Sequence, residues 1–492
     1  MKPSEDLFNL INSLSKAEKR YFNINFLQKS ENKNYSRLFR EIEFQVRKGN
    51  YDEAKIKEKF KNEKFIKQLT FTKNYLYSLI VKSLINFYSP DNLEIEIYNL
   101  ITSAKIFFRK ALFPEYFKAL EKAKILAEET EKFGILIDII KLQTKLVRLK
   151  DRKKYKNRNL YKDEENAIIK IKNISEYSYL LHIFYRITKI PDYARSRILY
   201  KEAEKIFFNK LLDSDKSALS VTAKDMFYIL SIYKYDFLND KQKLFETSLK
   251  RYQLFKDNEK VFRADSSDKE TTLLFNALHD SLEAGKINYF RKNFPDYKEL
   301  LTKVKSKHND RSANVASLNL YYNYFSGNIS EAVKFAKEVY IFLKATEKNQ
   351  TKDDLLQFYF FYAKLLFENM NYEEALEVVN EIITHEYKDV RIDILSYSYF
   401  LSLFIHYELK NYQLIHSLIR TLKRKISQHK EKNLSEKIIL KFFTEITSDN
   451  LSDEKFILQK YLKQFTGIKK SKYEELFFRE LPIDSWILKK ST

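Results

Sequence analysis

Apolar residues recur along most of the chain at helical spacing. Tyr116, Leu120, Ala123 and Ala127 stand at i, i+4, i+7 and i+11, one stripe of a helix, and the pattern predicts that stripe to be buried. Strict apolar–polar alternation bounded by Asn-Gly or Asp-Gly turns, the mark of hairpin strands, does not occur. The six prolines (Pro3, Pro90, Pro114, Pro191, Pro295 and Pro482) leave long tracts dense in Leu, Lys, Glu, Ala, Ile, Phe and Tyr. The chain therefore reads as all-α. Ser15-Lys16-Ala17-Glu18 has the form of a capping box, in which the serine oxygen and the glutamate take amides left without partners at a helix start. Asn50-Tyr51-Asp52-Glu53-Ala54 reads as a further helix cap. Ser175, after the polar pair Lys172-Asn173 and ahead of the largely apolar 177–187, reads as another start.

One pattern repeats. Gly285-Lys286-Ile287-Asn288-Tyr289-Phe290, Gly327-Asn328-Ile329-Ser330-Glu331-Ala332, Met370-Asn371-Tyr372-Glu373-Glu374-Ala375 and Lys410-Asn411-Tyr412-Gln413-Leu414-Ile415 end 42, 43 and 40 residues apart. Four and seven residues on, each is followed by apolar positions: Phe294 and Tyr297, Ala336 and Val339, Val379 and Ile382, Ile419 and Leu422. Each thus opens a helix with the same buried stripe, and an amphipathic or largely apolar helix precedes it, as over 354–369 and 392–409. A hairpin of this size cannot bury its own apolar faces, so copies must stack and share a continuous core. The expected architecture is an α-α superhelix.

The turn Asn371-Tyr372-Glu373-Glu374-Ala375-Leu376 resembles the second-helix start of a tetratricopeptide repeat, and Tyr359, Tyr362, Ala363 and Leu366 match that motif's aromatic, large, small and large positions. The likeness covers about residues 266–430 and reaches back toward 92 through Leu112-Phe113-Pro114-Glu115-Tyr116, with spacings lengthened beyond the motif's roughly 34 residues. Through Leu14-Ser15-Lys16-Ala17-Glu18-Lys19-Arg20-Tyr21-Phe22 and Lys73-Asn74-Tyr75-Leu76-Tyr77 the chain is also similar to a group of uncharacterised bacterial helical-repeat proteins. The resemblance implies a right-handed solenoid of TPR-like hairpins. Its expected parts are an N-terminal helical cap region (1–90), degenerate hairpins (91–265), TPR-like repeats (266–447) and a C-terminal helical cap (448–492) that holds the single tryptophan, Trp486, and covers the end of the core.

In such a solenoid the first helix of each hairpin lines a concave wall that receives a partner segment. The implied inner-facing residues are Gln357, Phe360, Lys364 and Phe367 in the repeat ending at Ala375, with Tyr321 and Tyr324 before it and Tyr397, Phe400 and Phe404 after it. Semi-rigid rings give contact area at little ordering cost, and Lys364 would fix a carboxylate. The expected function is a non-catalytic protein–protein interaction scaffold.

Composition narrows the chemistry further. Among 492 residues there are only five glycines, no two closer than 42 positions, which excludes glycine-rich phosphate cradles and nucleophile elbows. No cysteine is present, so disulfides, thiol catalysis and cysteine-ligated metals are excluded. The seven histidines form no HExxH or i, i+4 ligand pair, with His279 and His406 the better placed of them, and Asp163-Glu164-Glu165 reads as an acidic helix start. No metal, cofactor or enzymatic activity is expected. Early acids at Glu5 and Asp6 with no apolar run behind them do not read as a signal peptide, and no stretch is long and apolar enough for a membrane span, so a cytoplasmic protein is expected. The 89 basic against 67 acidic residues, net +22, support one alternative. Arg152, Lys153, Lys154, Lys156 and Arg158, with Lys423, Arg424 and Lys425, would contact phosphates in a nucleic-acid-associated helical-repeat protein, tyrosines stacking on unpaired bases.

Overall fold

A computed structural model describes residues 5–27, 33–88, 92–147, 159–188, 196–262, 269–303, 311–347, 350–384, 391–428, 433–448, 454–481 and 483–491. Every regular element among them is a helix, and no helix is long and apolar enough to cross a membrane. The chain forms two compact units, Met1–Ala167 and Ile168–Thr492.

In the first unit α1 (Asp6–Ser13), α2 (Lys16–Phe22), α3 (Asn34–Lys48), α4 (Glu53–Lys59) and α5 (Leu69–Tyr88) enclose a core that includes Ile11, Phe22, Leu38, Ile42 and Leu76. The capping box at α2 is formed: Ser15 Oγ accepts from the Glu18 amide at 3.3 Å and Glu18 Oε2 from the Ser15 amide at 2.6 Å. Asp52 caps α4, accepting from the Lys55 amide at 3.1 Å. Then come α6 (Leu93–Arg109), α7 (Phe113–Glu129) and α8 (Phe133–Val147), and the stripe Tyr116, Leu120, Ala123 and Ala127 on α7 is buried. The division between units falls inside α9 (Leu160–Thr188), which runs unbroken past Ser175, so no helix starts there. The reason is tertiary. The buried Asn173 side chain donates to the Ser217 carbonyl at 3.1 Å and accepts from the Leu219 amide at 2.9 Å, so this polar residue is satisfied without a chain break.

The second unit continues with α10 (Arg197–Phe207), α11 (Val221–Phe237), α12 (Lys241–Asp257) and the short α13 (Glu259–Phe262). It proceeds through α14 (Lys269–Glu283), α15 (Ile287–Lys303), α16 (Arg311–Phe325), α17 (Ile329–Ala345), α18 (Lys352–Glu368), α19 (Tyr372–Thr384), α20 (Ile392–Glu408) and α21 (Tyr412–Gln428). The repeated sequence words all sit at one kind of turn. Gly285, Gly327, Met370 and Lys410 have φ of 71°, 82°, 64° and 59°. The next amide in each reaches back five residues: Lys286 to Ser281, Asn328 to Asn323, Asn371 to Leu366 and Asn411 to His406, at 2.7 to 2.9 Å. These are Schellman closures, which satisfy carbonyls at the end of the first helix and launch the second two residues later. Of the eight stripe positions that follow, seven are buried and Phe294 is half-buried. Each second helix packs on the next first helix, α17 on α18 and α19 on α20, and first helices also touch, α14 with α16 and α18 with α20.

The chain ends with α22 (Leu434–Ile446), α23 (Glu454–Ile468), α24 (Lys472–Glu480) and α25 (Ile483–Ser491). Residues after 447 do not form a separate layer: Ile457, Phe477 and Trp486 belong to the same buried core as Leu355, Phe404 and Phe443. Phe477 stands edge-on to Tyr397 at 5.4 Å and to Phe400 at 5.2 Å, and Trp486 to Phe404 at 5.1 Å and to Tyr407 at 5.4 Å. α24 also returns to the start of the unit. Arg479 donates to the Asp236 carbonyl at 3.2 Å, Arg197 pairs with Glu474 at 3.4 Å, and Tyr473 lies edge-on to Tyr200 at 5.8 Å. The last helices thus close the second unit onto its first ones.

Candidate functional site

That closure leaves a half-open cavity of about 420 Å³ in the second unit. One part of its wall comes from α9 to α11, where Phe184, Phe207, Tyr233 and Phe237 form a continuous aromatic surface, with rings 4.6 Å apart for Phe184 and Tyr233 and 5.1 Å for Phe207 and Phe237. Burial, with the Tyr185 phenol beside it, pushes the Tyr233 phenol up to about 12, so it stays neutral. A second part comes from α18 and α20: Gln357, Phe360, Phe361, Lys364 and Tyr397. Arg479 and Glu480 of α24 complete it.

Local sequence fixes these positions. Thr351 caps α18, accepting from the Asp354 amide at 3.2 Å, and two acids follow in the first turn, where the helix dipole favours them. Arg391 ties the start of α18 to that of α20. It donates to both Asp393 carboxylate oxygens, at 2.8 and 2.7 Å, and to Asp353 at 2.9 Å. Asp236, besides accepting from Arg479, pairs with Lys241 at 2.8 Å, and Lys241 pairs with Glu283 at 2.9 Å. Burial draws the Lys241 ammonium down, but Asp236 and Glu283 outweigh it, and it stays charged above the usual lysine range.

The nine residues expected on an open inner wall separate into two groups. Phe360, Phe367, Tyr397, Phe400 and Phe404 are buried, each at most 4% exposed, and so present no open surface. Phe360 lies against Tyr397 and Phe367 against Tyr372 and Phe404, while Tyr397, Phe400 and Phe404 are covered by Phe477 and Trp486. Gln357 is exposed and donates to Asp353 at 3.0 Å; Lys364, Tyr321 and Tyr324 are half-buried. The cavity gathers Gln357, Phe360, Lys364 and Tyr397 and leaves out the other five. Tyr321 instead packs on His279 at 4.4 Å and, like Tyr324, on Phe361. Phe361, Arg391, Glu480 and the whole aromatic surface of α9 to α11 are site residues that repeat phase does not reveal. Phe361 is one position from Phe360.

The basic residues Arg152, Lys153, Lys154, Lys156 and Arg158 lie outside the described residues, as does the Lys425 side chain; Lys423 and Arg424 are exposed on α21. His279, Asp280 and Glu283 on α14 bring ligand-type atoms within 4.8 Å of one another. Lys241 pairs with Glu283, Ser248 donates to Asp280 at 2.5 Å, and His279 Nδ1 stands 3.1 Å from Asp280 Oδ1. His406 bonds Asn411 at 3.3 Å, and burial holds its imidazole below the usual range. Comparison of the chain with protein-family models, with curated proteins and with solved structures returns no match.

Proposed function

We propose that the second unit is a TPR-like helical-repeat scaffold, a superhelix of lengthened hairpins that takes a segment of a partner protein into the cavity between its first helices and its own C-terminal helices. One observation carries the reading. Phe400, Phe404 and Tyr407 on α20 are covered by Phe477 and Trp486, whereas Gln357, Phe361 and Lys364 on α18, with Tyr397 on α20, still face a cavity. A wall that is sealed in one place and left lined by rings and a cation in the next is built for an occupant there. Tag-based recovery of partners from native lysate, with and without nuclease, tests it by comparing wild type with Phe361→Ala plus Lys364→Glu. A single protein recovered by wild type, lost with the variant and indifferent to nuclease is the expected result. Recovery unchanged by the variant, or abolished by nuclease, contradicts the reading.

A further inference from the structure

Most charges around the cavity are neutralised by the protein itself. Arg391 is clamped by Asp393 and Asp353, and Arg479 pairs with an Asp236 that is shared with Lys241. Two are not. Among the described residues, neither Lys364 nor Glu480 has an ion-pair or hydrogen-bond partner, although both are half-buried and line the same cavity. Lys364 rests its ammonium 5.6 Å from the centre of the Phe361 ring, which holds it in place without neutralising it. Its nearest acid along the helix, Glu368, makes no ion pair with it, and burial keeps that carboxyl above the usual range, where it is a weaker counter-charge. A half-buried charge with no partner costs desolvation energy. One cation and one anion without partners, in a cavity whose other charges are paired with each other and whose remaining wall is largely aromatic, therefore make a constellation for a ligand that carries the complementary pair.

We infer that the cavity binds a small zwitterion with an aromatic ring, of which the aromatic amino acids are the simplest members. Its carboxylate meets Lys364, its ammonium meets Glu480, and its ring packs among Phe184, Tyr233 and Phe361. The volume of about 420 Å³ lies within the range of roughly 300–1,000 Å³ typical of small-molecule pockets. The same three groups are offered by a free amino acid or by an aromatic residue flanked by lysine and glutamate in a peptide. This inference rests on the cavity being the working site, as in the scaffold reading, but not on its occupant being part of a protein. Because Lys364 belongs to α18 and Glu480 to α24, the occupant links the repeats to the closing helix, and binding raises the melting temperature.

The test is calorimetric titration and thermal shift of the full chain with L-phenylalanine, L-tyrosine and L-tryptophan, and with an end-blocked Gly-Lys-Phe-Glu-Gly peptide. Three analogues dissect the charges: 3-phenylpropanoate lacks the ammonium, phenethylamine the carboxylate and N-acetyl-L-phenylalaninamide both. Saturable binding of a free amino acid or of the peptide is expected, weakened tenfold or more when either ligand charge is missing. The same weakening is expected in Lys364→Met and in Glu480→Gln, two half-buried positions whose ligand-free melting temperatures should be no lower than wild type, since each substitution removes an unpartnered charge. Saturation by the amino acids alone identifies a free metabolite as the source, and saturation by the peptide alone identifies a protein segment. The inference is overturned if none of these probes saturates at millimolar concentration, or if the uncharged analogue binds as tightly as phenylalanine. In that event the lysate experiment still decides the scaffold reading by itself, since it depends on loss of a protein partner and not on zwitterion binding.

Discussion

Replacing Trp486 by alanine removes the pin that holds α25 on α20. The indole is 5% exposed, stands edge-on to Phe404, Tyr407 and Phe442 at 5.1, 5.4 and 6.1 Å, and donates from Nε1 to Glu408 at 2.5 Å. Truncation of a buried aromatic to alanine costs about 3–5 kcal/mol. Glu408 keeps one partner, Lys490 at 2.9 Å, so no bare carboxylate adds to that loss. Because α25 is the last element, the loss falls first on local opening rather than on global unfolding. At about 1.4 kcal/mol per tenfold, amide exchange in 483–491 and in the covered part of α20 should quicken by a hundredfold or more, up to the limit of full exposure. Trp486→Phe separates the two contributions. It keeps a ring in the site and loses the bond to Glu408 together with the packing of part of the indole, and a hydrogen bond to a charged group contributes about 1.5–3 kcal/mol. Hydrogen exchange followed by mass spectrometry reads both variants. Protection in Trp486→Ala within about threefold of wild type over 400–408 would refute the reasoning, because α25 would then not be what covers that helix.

Three further outcomes follow from single contacts. Met370→Gly and Lys410→Gly relieve left-handed backbone at two interhelical turns and should each stabilise by about 0.5–1 kcal/mol in urea unfolding, net of the extra freedom glycine gives the unfolded chain; a loss would mean these side chains anchor the turn. Glu474→Ala leaves the Leu434 and Ser435 amides and the Ser435 hydroxyl without the buried carboxylate that accepts from them at 3.0, 3.1 and 2.7 Å. It should lower stability by about 3 kcal/mol in the same assay, and an unchanged midpoint would show that α22 is capped by other means. Burial raises the Glu368 carboxyl against the opposing pull of Lys364 and Lys489, so its proton is held more tightly in the folded chain than in the unfolded one. The resulting stabilisation is full below the unfolded carboxyl value of about 4.3 and is lost as pH rises through the folded value. Glu368→Gln should therefore melt higher than wild type at pH 7 and level with it at pH 4, whereas a lower melt at pH 7 would mean that the two lysines dominate.

The hairpins were legible in the sequence because their turns are local. Gly285, Gly327, Met370 and Lys410 occupy one position of one closure, and the stripe behind each is set by helix period alone. The Ser175 start was not legible, since Asn173 finds its partners on residues more than forty positions away. The covered wall lay between these cases. α20 is apolar on all its faces, Ile394, Tyr397, Leu401, Phe404 and Ile405 among them, and a helix of that kind is buried on all sides. That pattern argues against an open groove at 397–404 and asks for another element above it, but it does not say which. α18 is different, carrying Gln357, Lys364 and Glu368 among its apolar residues, and it is there that the cavity lies. Its far wall depends on α24 meeting α11, a contact spanning more than two hundred residues that no periodicity encodes.

The return of α24 to the first helices of the second unit is the contact on which the cavity depends, and a cysteine-free chain allows it to be trapped cleanly. The Asn239 side chain donates to Glu475 at 3.5 Å, and neither side chain is buried. With Asn239→Cys and Glu475→Cys in one chain at high dilution, a short bismaleimide should link the two within a single molecule and give a faster-migrating monomer band, absent from either single variant. Monomers that stay unlinked, or links formed only between molecules, would show that the second unit does not close and that the cavity has no third wall.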